Sequence, residues 1–95
     1  MARWNKDIIY EKDPSDVIDY VLNFGGLLKN DTIATATVTG ENVTIDSSSV
    51  SGNIVTIYVS GGSAGSIGKV KTTIVTNNST PRTIERTFRI KVENL

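Results

Sequence analysis

The chain of 95 residues carries ten basic and ten acidic side chains, no cysteine and no histidine. That length makes one small domain, burying roughly 65% of its unfolded surface. The balanced charge offers no field to draw nucleic acid or an anionic membrane. The missing residue types exclude a disulfide framework, the common zinc sites, thiol catalysis and any imidazole mechanism.

Met1 to Asp7 has no apolar run behind it, so no signal peptide is predicted. Nor does any stretch approach the ~20 apolar residues of a membrane-spanning helix. Residues 1–12 read as an N-terminal arm or edge strand, and residues 13–95 as a single domain. Ile8-Ile9-Tyr10 is its β-like run, and Trp4, the sole tryptophan, sits just ahead of it. An exposed tryptophan is a common interface anchor, which makes this arm a candidate contact with a neighbouring subunit.

Lys12-Asp13-Pro14-Ser15 reads as a turn, because proline fixes φ and biases the residue before it toward extended backbone. From Asp16 to Phe24, Ile18, Tyr20, Leu22 and Phe24 alternate with mostly polar residues, the period of a strand with one apolar face. Helical spacing of Val17, Tyr20, Val21 and Phe24 competes, but the β-branched and aromatic content favours the strand. Gly25-Gly26 breaks it. Leu27-Leu28 then suggests a short helical turn or a loop with buried leucines. Thr32 to Thr39 and Val43 to Ile45 read as strands around a turn at Gly40-Glu41-Asn42. Asp46 to Asn53 reads as polar connection ending in a Gly-Asn turn.

Ile54 to Ser60 is a β-rich run, and Lys69 to Thr76 resumes it. Between them Gly61-Gly62-Ser63-Ala64-Gly65-Ser66-Ile67-Gly68 places four glycines in eight positions. After the turn at Asn77 to Arg82 comes the clearest strand. Ile84, Arg86, Phe88, Ile90 and Val92 fall on one face, with Arg86 the polar exception. A stem laid over the core with its head in water, or a rim carboxylate, would satisfy it. About seven antiparallel strands with regular turn signals predict an all-β, Ig-like β-sandwich.

The glycine stretch invites a phosphate-loop reading, and the spacing rejects it. Five residues separate Gly62 from Gly68, Val70 follows Lys69, and the next segment is β-branched. No helix N-terminus stands ready for an anion. The bland reading is a hairpin or corner joining neighbouring strands. The carboxylates Asp13, Asp16, Asp19, Asp31, Asp46 and Glu85 are scattered, and no two are paired by pattern for glycoside chemistry. Asp31 reads as a turn or capping residue. Loop carboxylates can bind calcium, but the clustered Asp-x-Asp pattern is missing. Without histidine a serine nucleophile would need a lysine partner. The residues therefore point to no enzyme, no cofactor and no metal site, and to a binding or building module.

Several segments carry a resemblance. Lys12-Asp13-Pro14, Asp19-Tyr20 and Asp31-Thr32-Ile33 resemble the front of a family of small Ig-like virion proteins of tailed bacteriophages and prophages, the fiber-tail adaptors. Ser48-Ser49-Val50-Ser51-Gly52, Val59-Ser60-Gly61-Gly62-Ser63-Ala64-Gly65, and Arg82 with Glu85-Arg86-Thr87 resemble its back half. Asn23 to Gly26 departs from it, standing where similar sequences carry tryptophan-containing segments. Asn77 to Arg82 departs too, being longer than the usual turn.

The resemblance implies a structural virion protein of the tail or neck, made in the host cytoplasm. Its expected partners are other tail proteins and further copies of itself. It implies neither nucleic-acid nor membrane binding. Trp4, Ile8 and Tyr10 in the arm, and Gly61, Gly62 and Ala64 in the glycine turn, are the expected partner contacts. A head decoration or neck protein is the alternative within the virion. A carbohydrate- or surface-binding module is the alternative outside it, and needs an exposed aromatic platform built from Trp4, Tyr10 or Tyr58.

Overall fold

A computed structural model of the chain describes residues 2–3, 9–28 and 31–95. It is all-β, with two four-stranded sheets packed face to face. The strands are β1 (Ala2–Arg3), β2 (Ile9–Lys12), β3 (Ile18–Asn23), β4 (Ile33–Glu41), β5 (Thr44–Ser51), β6 (Ile54–Ser60), β7 (Ile67–Thr76) and β8 (Thr83–Val92). A single helical turn, α1 (Gly25–Leu28), links β3 toward β4. One sheet has the order β1-β3-β6-β5 and the other β2-β8-β7-β4.

Alternation decides which side chains meet between the sheets. Tyr20 and Leu22 from β3 and Val55, Ile57 and Val59 from β6 face Val70 and Ile74 from β7 and Phe88, Ile90 and Val92 from β8. These residues expose at most 2% of their surface, and Phe24 and Leu28 close one end of the core. Burying each large apolar side chain contributes about 1.5–3 kcal/mol, and the central strands supply nearly all of them. The rings of Tyr10, Tyr20 and Phe88 form a cluster with centroids 5.1 to 5.7 Å apart.

Three expectations are corrected. First, the sandwich is not wholly antiparallel: β2 runs parallel to β8, and β1 runs parallel to β3. No turn joins β2 to β8. The whole intervening chain acts as the crossover that parallel pairing demands. Second, the serine-rich stretch from Asp46 is not connection but most of β5, paired antiparallel with β6 through Ser47↔Tyr58 to Ser51↔Ile54. The Gly-Asn turn holds, as Gly52 with φ of 60°. Third, of the two readings of the glycine stretch the hairpin is excluded and the corner holds, because β6 and β7 lie in different sheets. It is a corner carrying the chain from the middle of one sheet to the middle of the other. Arg86 lies half-buried on the inner side of β8 and donates from Nη1 to its neighbour's carbonyl, Glu85 O, at 2.8 Å.

Candidate functional site

The two ends of the sandwich hold the unusual chemistry. At the corner end, Gly61, Gly62 and Gly65 have φ of 73°, 94° and 90°, a region that side chains with a Cβ avoid. Gly62 also packs close, since a Cβ there would lie 2.7 Å from Val92 Cγ2. The loop is stitched to the last strand by Gly65 N donating to Val92 O at 2.8 Å and Val92 N donating to Ser66 O at 2.9 Å.

Under this corner lies Lys12, fully buried at the end of β2. Its Nζ donates to Gly61 O at 2.7 Å and to Asp13 O at 2.8 Å. No carboxylate lies within ion-pair distance of it among the described residues. A buried ammonium is tolerated only when its protons are taken up, and here backbone carbonyls take them. In sequence Lys12 reads as a turn residue. The signal that could have found it is its place at the end of an apolar run facing a glycine turn whose carbonyls need donors. Asp13 completes this end, taking Ser15 N at 2.9 Å on one oxygen and Leu95 N at 3.0 Å on the other. Those two backbone N–H groups hold its carboxyl below the usual carboxylate range.

At the opposite end Arg82 is the hub. Its Nη2 donates to Leu28 O, at the last residue of α1, at 3.1 Å, and reaches Asp31 Oδ2 at 3.5 Å. Arg82 N donates to Thr76 Oγ1 at 2.9 Å, and Asn77 Nδ2 donates to Thr32 Oγ1 at 2.8 Å. Burial pushes the Asp31 carboxyl up, but the Thr32 N–H, the Thr76 hydroxyl and Arg82 outweigh it and hold it low. An open depression beside this hub is lined by Leu28, Asp31, Asn78, Ser79 and Arg82. Thus the loop from Asn77 to Arg82 is tied to both α1 and the start of β4.

The expected contact residues fall in different settings. Trp4 and Ile8 lie outside the described residues. Tyr10 is half-buried, its ring edge-on to Phe88 and tilted against Tyr20. Gly61 and Gly62 are half-buried and make internal contacts, while Ala64 is exposed at the tip of the corner. The structure therefore keeps Gly61, Gly62 and Ala64 in one loop and packs the half-buried Tyr10 against the core. No group of three or more carboxylates that could hold a metal occurs among the described residues. Among them no helix is long and apolar enough to cross a membrane.

What these residues define is a small two-layer β-sandwich, with side chains at each end bonded to the backbone of segments distant in sequence. The chain belongs to the phage family described as podophage GP4 fiber-tail adaptor protein gp77, whose profile matches residues 12–91. The match begins at the buried Lys12 and spans both ends of the sandwich. No match was found among curated proteins. Among solved structures, the solution structure of amebosin aligns over 94% of this chain and 91% of that one, at 16% identity and a TM-score of 0.39. That likeness is too loose to bear on fold or role. Family membership marks the protein as a virion component with a structural place in the tail.

Proposed function

We propose that the chain is a non-enzymatic joint in a phage or prophage tail, holding components such as fibers to the tail through protein contacts. The observation that carries this reading is the family match over residues 12–91. The fold supports it. Its charged and hydrogen-bonding residues at the two ends are engaged in bracing backbone, which suits a rigid part in an assembly. The sheet orders also support an Ig-like reading: β1-β3-β6-β5 follows the ABED order, and β8-β7-β4 the GFC order, with β2 added beside β8. Repeated copies on a symmetric ring would let a weak single contact act many times over. The carbohydrate alternative gains little support, because among the described aromatics only Tyr58, at 45%, is an exposed large side chain.

The test is made on particles. Mass spectrometry of purified virions is expected to find the chain, and deleting its gene is expected to give tailed particles without fibers. Its absence from particles, or normal fibers after deletion, would overturn the reading.

A further inference from the structure

Each sheet ends in one short and one long strand. β1 has two residues and β2 four, whereas β4 has nine and β5 eight. β4 and β5 are outermost in their sheets, so their outer edges pair with no strand among the described residues. Only Asn42 and Val43 separate them in the chain, which puts both long edges on one flank of the sandwich. Soluble proteins blunt a free edge with lysine, proline or brevity, because its unpaired N–H and C=O groups recruit another strand. Neither strand here contains a lysine, an arginine or a proline. Bulges disturb only the start of each, at Ile33/Thr35 and Ile45/Ser47, and leave the rest in regular register.

The β4 edge is also matched to itself. From Thr35 to Thr39 it reads Thr-Ala-Thr-Val-Thr, the same pattern of residue types in both directions. Thr35, Thr37 and Thr39 are exposed on the outer face, while Ala36 and Val38 are half-buried against the core. Laid antiparallel on a second copy with Thr37 opposite Thr37, Thr35 meets Thr39 and Ala36 meets Val38. Threonine then meets threonine on one face, and a small apolar residue meets another on the other. Directly opposed residues share a face of the sheet, so this register keeps every side chain on the side it already occupies. No like charges are opposed, since Glu41 comes opposite Ile33. On β5, Ser47 to Ser51 is matched about Ser49 in the same way, so the second edge sets no charge against a copy held by β4.

We propose that two copies of the chain join edge to edge, β4 against β4 in antiparallel register centred on Thr37, and so merge two four-stranded sheets into one of eight. Backbone hydrogen bonds supply the attraction, and the threonine pairs fix the register. The contact is isologous and closes at two copies. The proposal goes beyond the adaptor reading and does not need it, because pairing along this flank is a property of the isolated chain.

The experiment is light scattering on the full chain from roughly 1 μM to roughly 1 mM, the range in which a small interface fills. A monomer is expected to give way to a dimer and to nothing larger, as much at about 500 mM salt as in dilute buffer, because the seam is uncharged. Thr37→Lys sets two cations against each other at the symmetry axis and is expected to weaken pairing at least about tenfold, with an unchanged circular dichroism spectrum. Thr39→Lys, one step off the axis, keeps the test valid should that variant fail to fold. The register is read by cross-linking, since the chain has no cysteine of its own. Thr37→Cys is expected to form a disulfide-linked dimer on oxidation. Thr35→Cys and Thr39→Cys are each expected to link poorly alone and well when mixed.

A chain that stays monomeric throughout overturns the proposal, as does a dimer untouched by Thr37→Lys or Thr39→Lys, or equal cross-linking at Thr35 and Thr37. A monomer whose β4 amides gain protection from exchange only when another tail protein is added would give the edge to that protein and also overturn it. A chain present in virions yet monomeric in solution would sink the seam and leave the adaptor reading standing.

Discussion

Lys12 shows how one residue can brace two distant segments. Its ammonium bonds to the carbonyl of Gly61, 49 positions away in sequence, from a site with no solvent contact. Lys12→Met keeps the stem and deletes the donors, leaving two carbonyls without their lysine partner. A loss of about 1–3 kcal/mol in urea unfolding is expected. Lys12→Ala adds an unfilled cavity, and its expected loss is larger, about 2–4 kcal/mol. Equal losses would place the value of Lys12 in its ammonium donors rather than its stem. Tyr20 gives a second prediction. Burial pushes its hydroxyl from 10.0 up to about 12, and that hydroxyl has no hydrogen-bond partner among the described residues. Between those values the unfolded chain has released the proton while the folded chain keeps it, so stability falls as pH rises above 10. Tyr20→Phe is expected to fold normally at neutral pH and to lose less stability in alkali, measured by denaturant midpoints on either side of that range.

Among the elements, the corner between β6 and β7 makes the sharpest claim. Gly62 has φ of 94° and a neighbour 2.7 Å from the place a Cβ would take, whereas Gly65 has φ of 90° and open space around it. Gly62→Ala is expected to cost about 2–3 kcal/mol and Gly65→Ala about 1 kcal/mol, read from thermal or urea midpoints. This contrast is invisible in sequence, where both are glycines in one run. Other elements were legible for plain reasons. In β8 the apolar positions alternate strictly because one face covers the core, so period and burial agree from Phe88 to Val92. In β5 they do not. Ser48 and Val50 lie opposite Ile57 and Val55 and so face inward, yet both are exposed at the edge of the sandwich. A strand whose inner face is uncovered leaves no apolar period to read. The burial of Lys12 is hidden in sequence for a related reason, since only the position of the corner makes a buried lysine tolerable. Asp31 and Arg82 stood out in sequence as members of a pattern, but their mutual contact arises only when α1 meets the β7–β8 loop.

Across the whole molecule, the two ends respond to acid together. Asp13 at the corner end and Asp31 at the other are both held below their ordinary value of 3.8. In acid the unfolded chain therefore binds more protons than the folded one. Stability is complete at neutral pH and falls as pH drops through about 4 and below. Urea midpoints measured at pH 7 and near pH 3 are expected to show that fall. Asp13→Asn combined with Asp31→Asn is expected to start lower and change less. An unchanged acid slope in the double variant would assign the effect to other carboxylates.

The parallel pairing of β2 with β8 has a mechanical consequence. Ile9↔Arg89 through Lys12↔Val92 align the beginning of one strand with the body of another that leads to the chain end. A pull applied to the chain on its N-terminal side, and opposed through its C-terminus, slides these strands lengthwise. All their bonds then share the load, and none can open one after another like a zipper. The buried Lys12 and the bond from Glu93 N to Lys12 O, at 2.9 Å, sit where that sliding would begin. Stretching single molecules from their two ends is expected to give one abrupt rupture at high force, and Lys12→Met to lower it. A gradual extension at low force would show that this pair of strands bears little tension.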